Sequence, residues 1–257
     1  MYFADTKKEF LEYRIIKRMK ATATATPYWY YRFVAEHRQA ELPLLLESMT
    51  INETSFFRNM PQFELLRRQV LPELVARKER DVTRRLRVWS AGCSTGAEPY
   101  TIAIIVLELL ENMPRWDVKL FASDLSLSVL KQAQQGRYEA DKIRDTVPPE
   151  LLRKYFDLAG EEYQVKEHIR RRVTFDYHNL KHENGLGDLD IIFCRNVMIY
   201  FDDEERKRVI DKFHRSLNSG GYLFLGHSES LQGVDARFEF VFADKGTAYR
   251  KPEGEVR

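Results

Sequence analysis
Residues 88–100, VWSAGCSTGAEPY, limit the folds open to this chain more than any other stretch. Leu86, Val88 and Trp89 form an apolar stub that runs into the small residues Ser90 to Gly96. Glu98 and Pro99 then open a long apolar helix from Tyr100 to Leu110. Strand, tight glycine turn and helix make the first unit of a doubly wound α/β sheet, in which a ligand lies across the carboxyl end of the strands. The pattern continues with strands at VKLFASD, LDIIFCRN, YLFLG and VFADKGTAYR, and with helices over about 126–135 and 203–217. Such alternation predicts a mostly parallel sheet with helices on both faces. The last two strands are expected to pair antiparallel at its edge. Between Tyr138 and Asp190 the rhythm breaks. A helix at about 148–156 and two alternating runs, EYQVK and RRVTFDY, read there as a small inserted antiparallel elaboration.

The glycine spacing is not that of a dinucleotide site. That pattern is G-x-G-x-x-G, whereas here it is G-x-x-x-G with Glu98 two residues on. A pyrophosphate wants bare amides at a helix N-terminus, and Glu98 would repel it. A cationic ligand with an amine suits the carboxylate, and S-adenosylmethionine is such a ligand. Asp124 ends the second strand, 28 residues past Gly96. A carboxylate there can accept both hydroxyls of a ribose or cap the next helix. Arg195 follows the fourth strand and so borders the ligand crevice. Burying it without an acidic partner is expensive, and a scaffold pair with Asp188 or Asp190 is the other reading. Asn52, Thr54 and Arg58 lie in a polar connector over 51–59, the first two as site residues or as helix caps.

At 257 residues the chain can bury one full α/β core and a small appendage. The appendage is N-terminal. A helix over about 7–20, capped by Thr6 and striped by Leu11, Ile15 and Met19, ends at ATATAT and Pro27. A second helix carries Trp29, Tyr30, Phe33 and Val34, whose aromatics are expected in a core. A third lies near 41–50, and another over 61–79 leads to the sheet. Residues 1–90 hold 17 Lys/Arg against 11 Asp/Glu, a balance of +6, and the rest holds 24 against 28. A basic N-terminal part suits an anionic partner; a solvated helix face is the plain alternative. No apolar run approaches 18 residues, so membrane insertion is not expected. Cys93 and Cys194, 101 residues apart, read as a reduced cytosolic pair. No Cys/His cluster has metal-ligand spacing, so no metal is expected.

Six stretches together make the chain similar to the CheR family of chemotaxis receptor methyltransferases. They are TINETSFFRN, VWSAGCSTGAEPYTIAI, LFASDLSLSVLKQAQQGRY, FDYHNL, DIIFCRNVMIYFD and GGYLFLGHSESL, spanning about 50–232 in family order. The resemblance implies an α/β fold of the S-adenosylmethionine-dependent methyltransferase type. Its parts would be an N-terminal helical domain over 1–50, about a helix shorter than the family pattern, and a catalytic domain over 51–257 with an inserted β subdomain at 140–178. It implies that the cofactor is S-adenosylmethionine and that glutamate side chains on the cytoplasmic helices of chemoreceptors are esterified. Matched motif by motif, the cofactor residues are Asn52, Thr54, Arg58, Glu98, Asp124, Asn179, Leu180, Arg195 and Asn196. Tyr200 falls near the transferred methyl, and Arg58 or Arg195 is placed to steer the carboxylate, so Tyr200 and Arg58 are the catalytic candidates. Ala97 stands where many members carry a second acidic residue.

The expected enzyme is a cytoplasmic monomer whose basic N-terminal domain contacts the receptor. Nucleic acid is not an expected substrate, because RNVMIY offers no proline platform for a flipped base. None of the six histidines reads as a strand-end base beside an acidic orienter. None is needed, since a glutamate carboxylate, with an ordinary pKa of about 4.3, is already ionised at pH 7.

Overall fold
The computed structural model describes residues 8–50, 52–79, 84–111, 113, 115–231 and 235–254. Thr6, the expected cap of the first helix, lies outside them. Three helices come first: α1 (Lys8–Ala21), α2 (Pro27–Glu36) and α3 (Arg38–Ser48). Thr26 caps α2, its hydroxyl accepting from the Trp29 amide at 3.3 Å. Pro27 follows at the first turn, where a missing N–H is no loss. One buried carboxylate ties the three helices together. Glu41 of α3 accepts from the Arg18 guanidinium of α1 at 2.9 and 2.7 Å and from the Tyr30 hydroxyl of α2 at 2.7 Å. Arg18 is therefore not a free surface cation. Tyr30 is the one buried aromatic of α2. Trp29 is 56% exposed, which corrects its expected place in a core, and the neighbouring Tyr31 is 72% exposed. A unit of three short helices has too little interior to hold them all.

The connector leads into α4 (Met60–Leu65), a π-helical turn (Leu66–Val70) and α5 (Leu71–Lys78). Then come β1 (Arg85–Ala91), α6 (Ala97–Leu110), β2 (Asp117–Asp124), α7 (Leu127–Gln135), β3 (Arg137–Glu139), α8 (Ala140–Arg144) and α9 (Pro149–Tyr155). They are followed by β4 (Phe156–Ala159), β5 (Glu162–Val165), α10 (Glu167–Arg170), β6 (Val173–Tyr177) and β7 (Leu189–Cys194). The chain closes with α11 (Asp203–Ser216), β8 (Leu217–Leu225), β9 (Glu239–Ala243) and β10 (Gly246–Arg250). No helix among the described residues is long and apolar enough to cross a membrane.

The main sheet runs β6-β2-β1-β7-β8-β10-β9. The first five strands are parallel, and β10 pairs antiparallel with both β8 and β9. Side-chain alternation sends each central strand to two cores. Val88, Ile191, Phe193, Tyr222 and Phe224 pack on one face with α5 and α6 residues such as Leu74, Ile102 and Val106. Trp89, Ile192, Cys194, Leu223 and Leu225 pack on the other with Val209, Ile210 and Phe213 of α11. Both faces are covered, so these strands read as unbroken apolar runs.

Two sequence expectations are corrected. RRVTFDY does not join the antiparallel elaboration: Val173–Tyr177 pairs in parallel with β2 as the main sheet's edge strand. The small sheet instead has the order β3-β5-β4, with Arg137–Glu139 as its third strand. An edge strand covered on one side alternates like a half-buried antiparallel one, so period alone does not separate them. VFADKGTAYR is not one strand but spans the hairpin β9–β10, because Asp244 and Lys245 are both left-handed, at φ 48° and 67°. Two successive positive φ values make the two-residue reversal whose twist matches the strands it joins.

Parallel pairing aligns the carboxyl ends of the strands. Ala91 stands opposite Ser123, Asp124 opposite Tyr177, and Cys194 opposite Leu225. Every segment that leaves these strands therefore emerges along one edge.

Candidate active site
The floor of this edge is the loop after β1. The Gly92 and Cys93 amides donate to the Ser123 carbonyl at 2.8 and 3.0 Å, which turns the chain out of the sheet. Gly92 has φ 83°, and a Cβ there would lie 2.4 Å from Cγ2 of Val197. The close approach of the segment after β7 thus excludes any side chain at Gly92. Ser94, at φ 49°, donates its amide to the Asp124 carboxylate at 2.9 Å. The other Asp124 oxygen accepts from the Ser126 amide at 2.9 Å. The cap of α7 is Ser126, which sets the capping reading of Asp124 aside. The Leu125 main chain also bonds this carboxylate, whose two oxygens offer about four acceptor sites and so keep some capacity.

Glu98 sits in the first turn of α6 and is 9% exposed. One oxygen accepts from the Ser90 hydroxyl at 2.7 Å, and the other faces Arg195 Nη1 at 3.3 Å. Arg195 is 8% exposed, donates from Nη2 to the Arg58 carbonyl, and lies 5.3 Å from the Phe63 ring centroid. Burial pushes the Glu98 carboxyl up, against the pull of Arg195, and holds the guanidinium below its ordinary value. The two charges are kept by each other. Neither Asp188 nor Asp190 is the partner of Arg195 in this ion pair. Asp190 is held at 2.7 Å by Lys78, at 2.8 Å by the Asn218 amide group and at 2.9 Å by the Arg87 main chain.

The connector is laid over this floor. The Asn52 carbonyl accepts from the Ser94 hydroxyl at 2.7 Å, and the Phe57 amide donates to the Thr101 hydroxyl at 3.2 Å. Phe56 packs edge-on against Tyr138 and Phe156, and Phe57 against Phe63. Buried immediately before the exposed Arg58, the two rings anchor the segment. Asn59, not Asn52 or Thr54, stands at the start of the next helix. Phe57, Asn59, Ser94 and Asn196 all have positive φ. Strained non-glycine backbone of this kind concentrates at functional sites.

The far wall is the segment after β6. The His178 amide donates to the Asp124 carbonyl at 3.0 Å. Lys212 of α11, 3% exposed, donates to the carbonyls of Leu180 and His182. Replacing Lys212 by methionine should leave both carbonyls unpaired, at about 1–3 kcal/mol. A fall of several degrees in melting temperature is the expected reading, and an unchanged melting curve would contradict the role.

These segments enclose one cavity of about 390 Å³. Asn52, Thr54, Arg58, Glu98, Asp124, Asn179, Leu180, Arg195, Asn196 and Tyr200 all line it. Sequence reasoning missed several others. Leu46, near the end of α3, lies in no motif, and Thr50 opens the TINETSFFRN stretch without having been given a role. His178, inside the FDYHNL stretch but given no role there, lines the wall just past β6. Burial holds its imidazole below the ordinary value, hence neutral at pH 7. Two buried nitrogens on the lining residues, Arg195 Nε and His178 Nε2, have no hydrogen-bond partner among the described residues.

The family model described as "CheR methyltransferase, SAM binding domain" matches residues 52–247. A "Chemotaxis protein methyltransferase 2" of Vibrio cholerae is 35% identical over 98% of this chain and 88% of its own length. A "Chemotaxis protein methyltransferase" of Borreliella burgdorferi is 37% identical over 90% of this chain and 83% of its own. A "Chemotaxis protein methyltransferase 1" of Pseudomonas aeruginosa is 39% identical, over 80% and 76%.

Proposed function
Since the chain belongs to the CheR methyltransferase family, we propose that it esterifies glutamate side chains on the cytoplasmic helices of chemoreceptors, with S-adenosylmethionine as methyl donor. The observation that carries this reading is the single cavity that gathers all ten motif residues around a buried Glu98–Arg195 pair. The residues fit the cofactor. Beyond its three main-chain bonds Asp124 has acceptor capacity left for a ribose hydroxyl, and the unpartnered Arg195 Nε suits a carboxylate. Asn52, Thr54, Asn179, Leu180 and Asn196 complete the cofactor wall.

The cofactor supplies a methyl group on a sulfonium, open to attack by a carboxylate. The protein then needs no general base, because the glutamate is already ionised at neutral pH. Its work is to hold two opposite charges in line and keep water out, since those charges neutralise as the reaction proceeds. Arg58 is the steering cation of choice. It is exposed, with one guanidinium nitrogen on the Glu53 carbonyl at 2.8 Å, whereas Arg195 is committed to Glu98 and the Arg58 carbonyl. Tyr200 lines the cavity beyond Asn196, where it can wall the sulfonium.

Burial raises the Asp124 carboxyl above its ordinary value. The folded protein therefore binds this proton more tightly than the unfolded chain does. The ionised form costs stability above the ordinary carboxylate range, and that cost is relieved as pH falls through the raised value. Cofactor affinity, which needs the ionised form, should fall on acidification at a higher pH than an exposed aspartate would give. Asp124→Asn should flatten that acid limb in calorimetric titrations with S-adenosylhomocysteine; an identical limb in the variant would contradict the assignment.

The division into a receptor-facing unit over 1–50 and a catalytic unit over 51–257 belongs to the same proposal, as do the cytoplasmic setting and the monomer. On α1, Lys17 and Lys20 are exposed, while Arg18 is held by Glu41. Lys17→Glu with Lys20→Glu should slow receptor methylation at limiting receptor by roughly three- to ten-fold at low salt, converging with wild type at high salt. Cofactor affinity should not change. Equal rates across salt would make α1 a plain solvated face.

The function itself is tested with methyl-labelled S-adenosylmethionine offered to receptor-bearing membranes and, separately, to total RNA. Label on receptor protein supports the proposal. Label on RNA, or none on either, overturns it.

A further inference from the structure
The segment after β7 leaves the sheet at Asn196, a non-glycine residue at φ 60°. Its amides no longer face a neighbouring strand. One carboxylate collects them. Glu229, three residues past Gly226 at the end of β8, accepts from the Asn196 amide at 2.9 Å and the Gly226 amide at 2.7 Å on one oxygen. Its other oxygen accepts from the Met198 amide at 2.8 Å. Resting on the reading of this cavity as the S-adenosylmethionine site, we propose that Glu229 is a positioning residue that pre-forms the post-β7 wall by clamping three main-chain N–H groups.

The packing on both sides of the clamp supports this. Val197 lies between the two clamped residues of the segment, and its Cγ2 is the atom that a Cβ on Gly92 would strike. The clamp therefore fixes how the post-β7 segment seats on the glycine loop. Gly226 closes the other side: a Cβ there would stand 2.6 Å from a Glu229 oxygen and 2.8 Å from the Asn196 nitrogen. No side chain fits while the carboxylate holds its place. A left-handed asparagine persists only where its surroundings over-determine it, and charge-assisted bonds to an ionised acceptor are the stronger kind. Glutamine cannot replace this carboxylate. Its single acceptor oxygen leaves an NH2 group facing at least one donor. Glu229 itself is absent from the cavity lining, so its influence on the cofactor is through Asn196 and the residues that follow.

The test uses the full chain. In wild type the Asn196 and Met198 amide protons should exchange slowly with deuterium, and Glu229→Gln should speed that exchange. S-adenosylhomocysteine should bind Glu229→Gln about ten- to a hundred-fold more weakly, as expected for a charge-assisted bond. Gly226→Ala, which displaces the carboxylate from the other side, should weaken binding similarly. The double variant should lose little more than either single one, because both break the same device. A folded Glu229→Gln protein with wild-type exchange and affinity would overturn the proposal, as would losses that simply multiply in the double variant. If wild type binds no S-adenosylhomocysteine, the cofactor reading falls, and exchange alone still decides the clamp. A variant that only melts earlier while its folded fraction binds normally would make Glu229 structural and overturn the positioning role.

Discussion

Replacing Arg195 by methionine should destabilise the fold by about 3–5 kcal/mol, because it leaves the Glu98 carboxylate buried and unpaired. For a chain of this size that is a fall in melting temperature of roughly ten degrees. The loss should depend on pH in a definite direction. Burial already raises the Glu98 carboxyl, with Arg195 opposing the rise. Without Arg195 the folded-state value climbs further above the unfolded one. The variant should then be least stable where Glu98 must ionise, and should recover as pH falls through the folded value. Glu98→Gln in the same chain should restore part of the stability at neutral pH, since an amide needs no countercharge. Cofactor binding should stay lost in both. Equal melting temperatures for wild type and Arg195→Met at neutral pH would show that the ion pair holds nothing together.

The second large effect concerns turnover. Tyr200 follows the clamped segment and lines the cavity. If its ring walls the sulfonium by a cation–π contact, worth about 0.5–2 kcal/mol, Tyr200→Phe should keep most of the rate. Tyr200→Ala should then lose about ten-fold or more, with the melting temperature little changed. A rate already lost in Tyr200→Phe would move the role to the hydroxyl. An alanine variant that melts earlier yet turns over normally would remove Tyr200 from the active site.

How much of this was legible before the structure depended on what kind of signal each part carries. The glycine loop and the strand–helix alternation were readable because small residues and apolar periods are local. Those motif residues that stand at a strand end could be expected in one crevice, because parallel strands deliver their carboxyl ends to one edge. Asp124 and Arg195 are of that kind. What Arg195 pairs with was not legible, since Glu98 lies 97 residues away and nothing local distinguishes it from Asp188 or Asp190. The placing of RRVTFDY failed for a different reason: alternation reports one buried face and not the direction of the neighbouring strand. The Asp244-Lys245 reversal was hidden because neither residue announces a positive φ as glycine does. Arg18 looked like one more cation on a basic helix until Glu41 and Tyr30 were found on it. Leu46 reaches the cavity from the helical unit, outside every motif stretch, so nothing local marked it.

The central claim is that this cavity makes a carboxyl methyl ester, and the most direct measurement reads the bond itself. Receptor membranes are methylated with methyl-labelled S-adenosylmethionine and the isolated receptor is then treated with mild base. The account predicts that the label leaves as volatile methanol, and that receptor in which the accepting glutamates are changed to alanine takes up none. Label that stays on the protein through base, as a methyl on nitrogen or sulfur would, contradicts it.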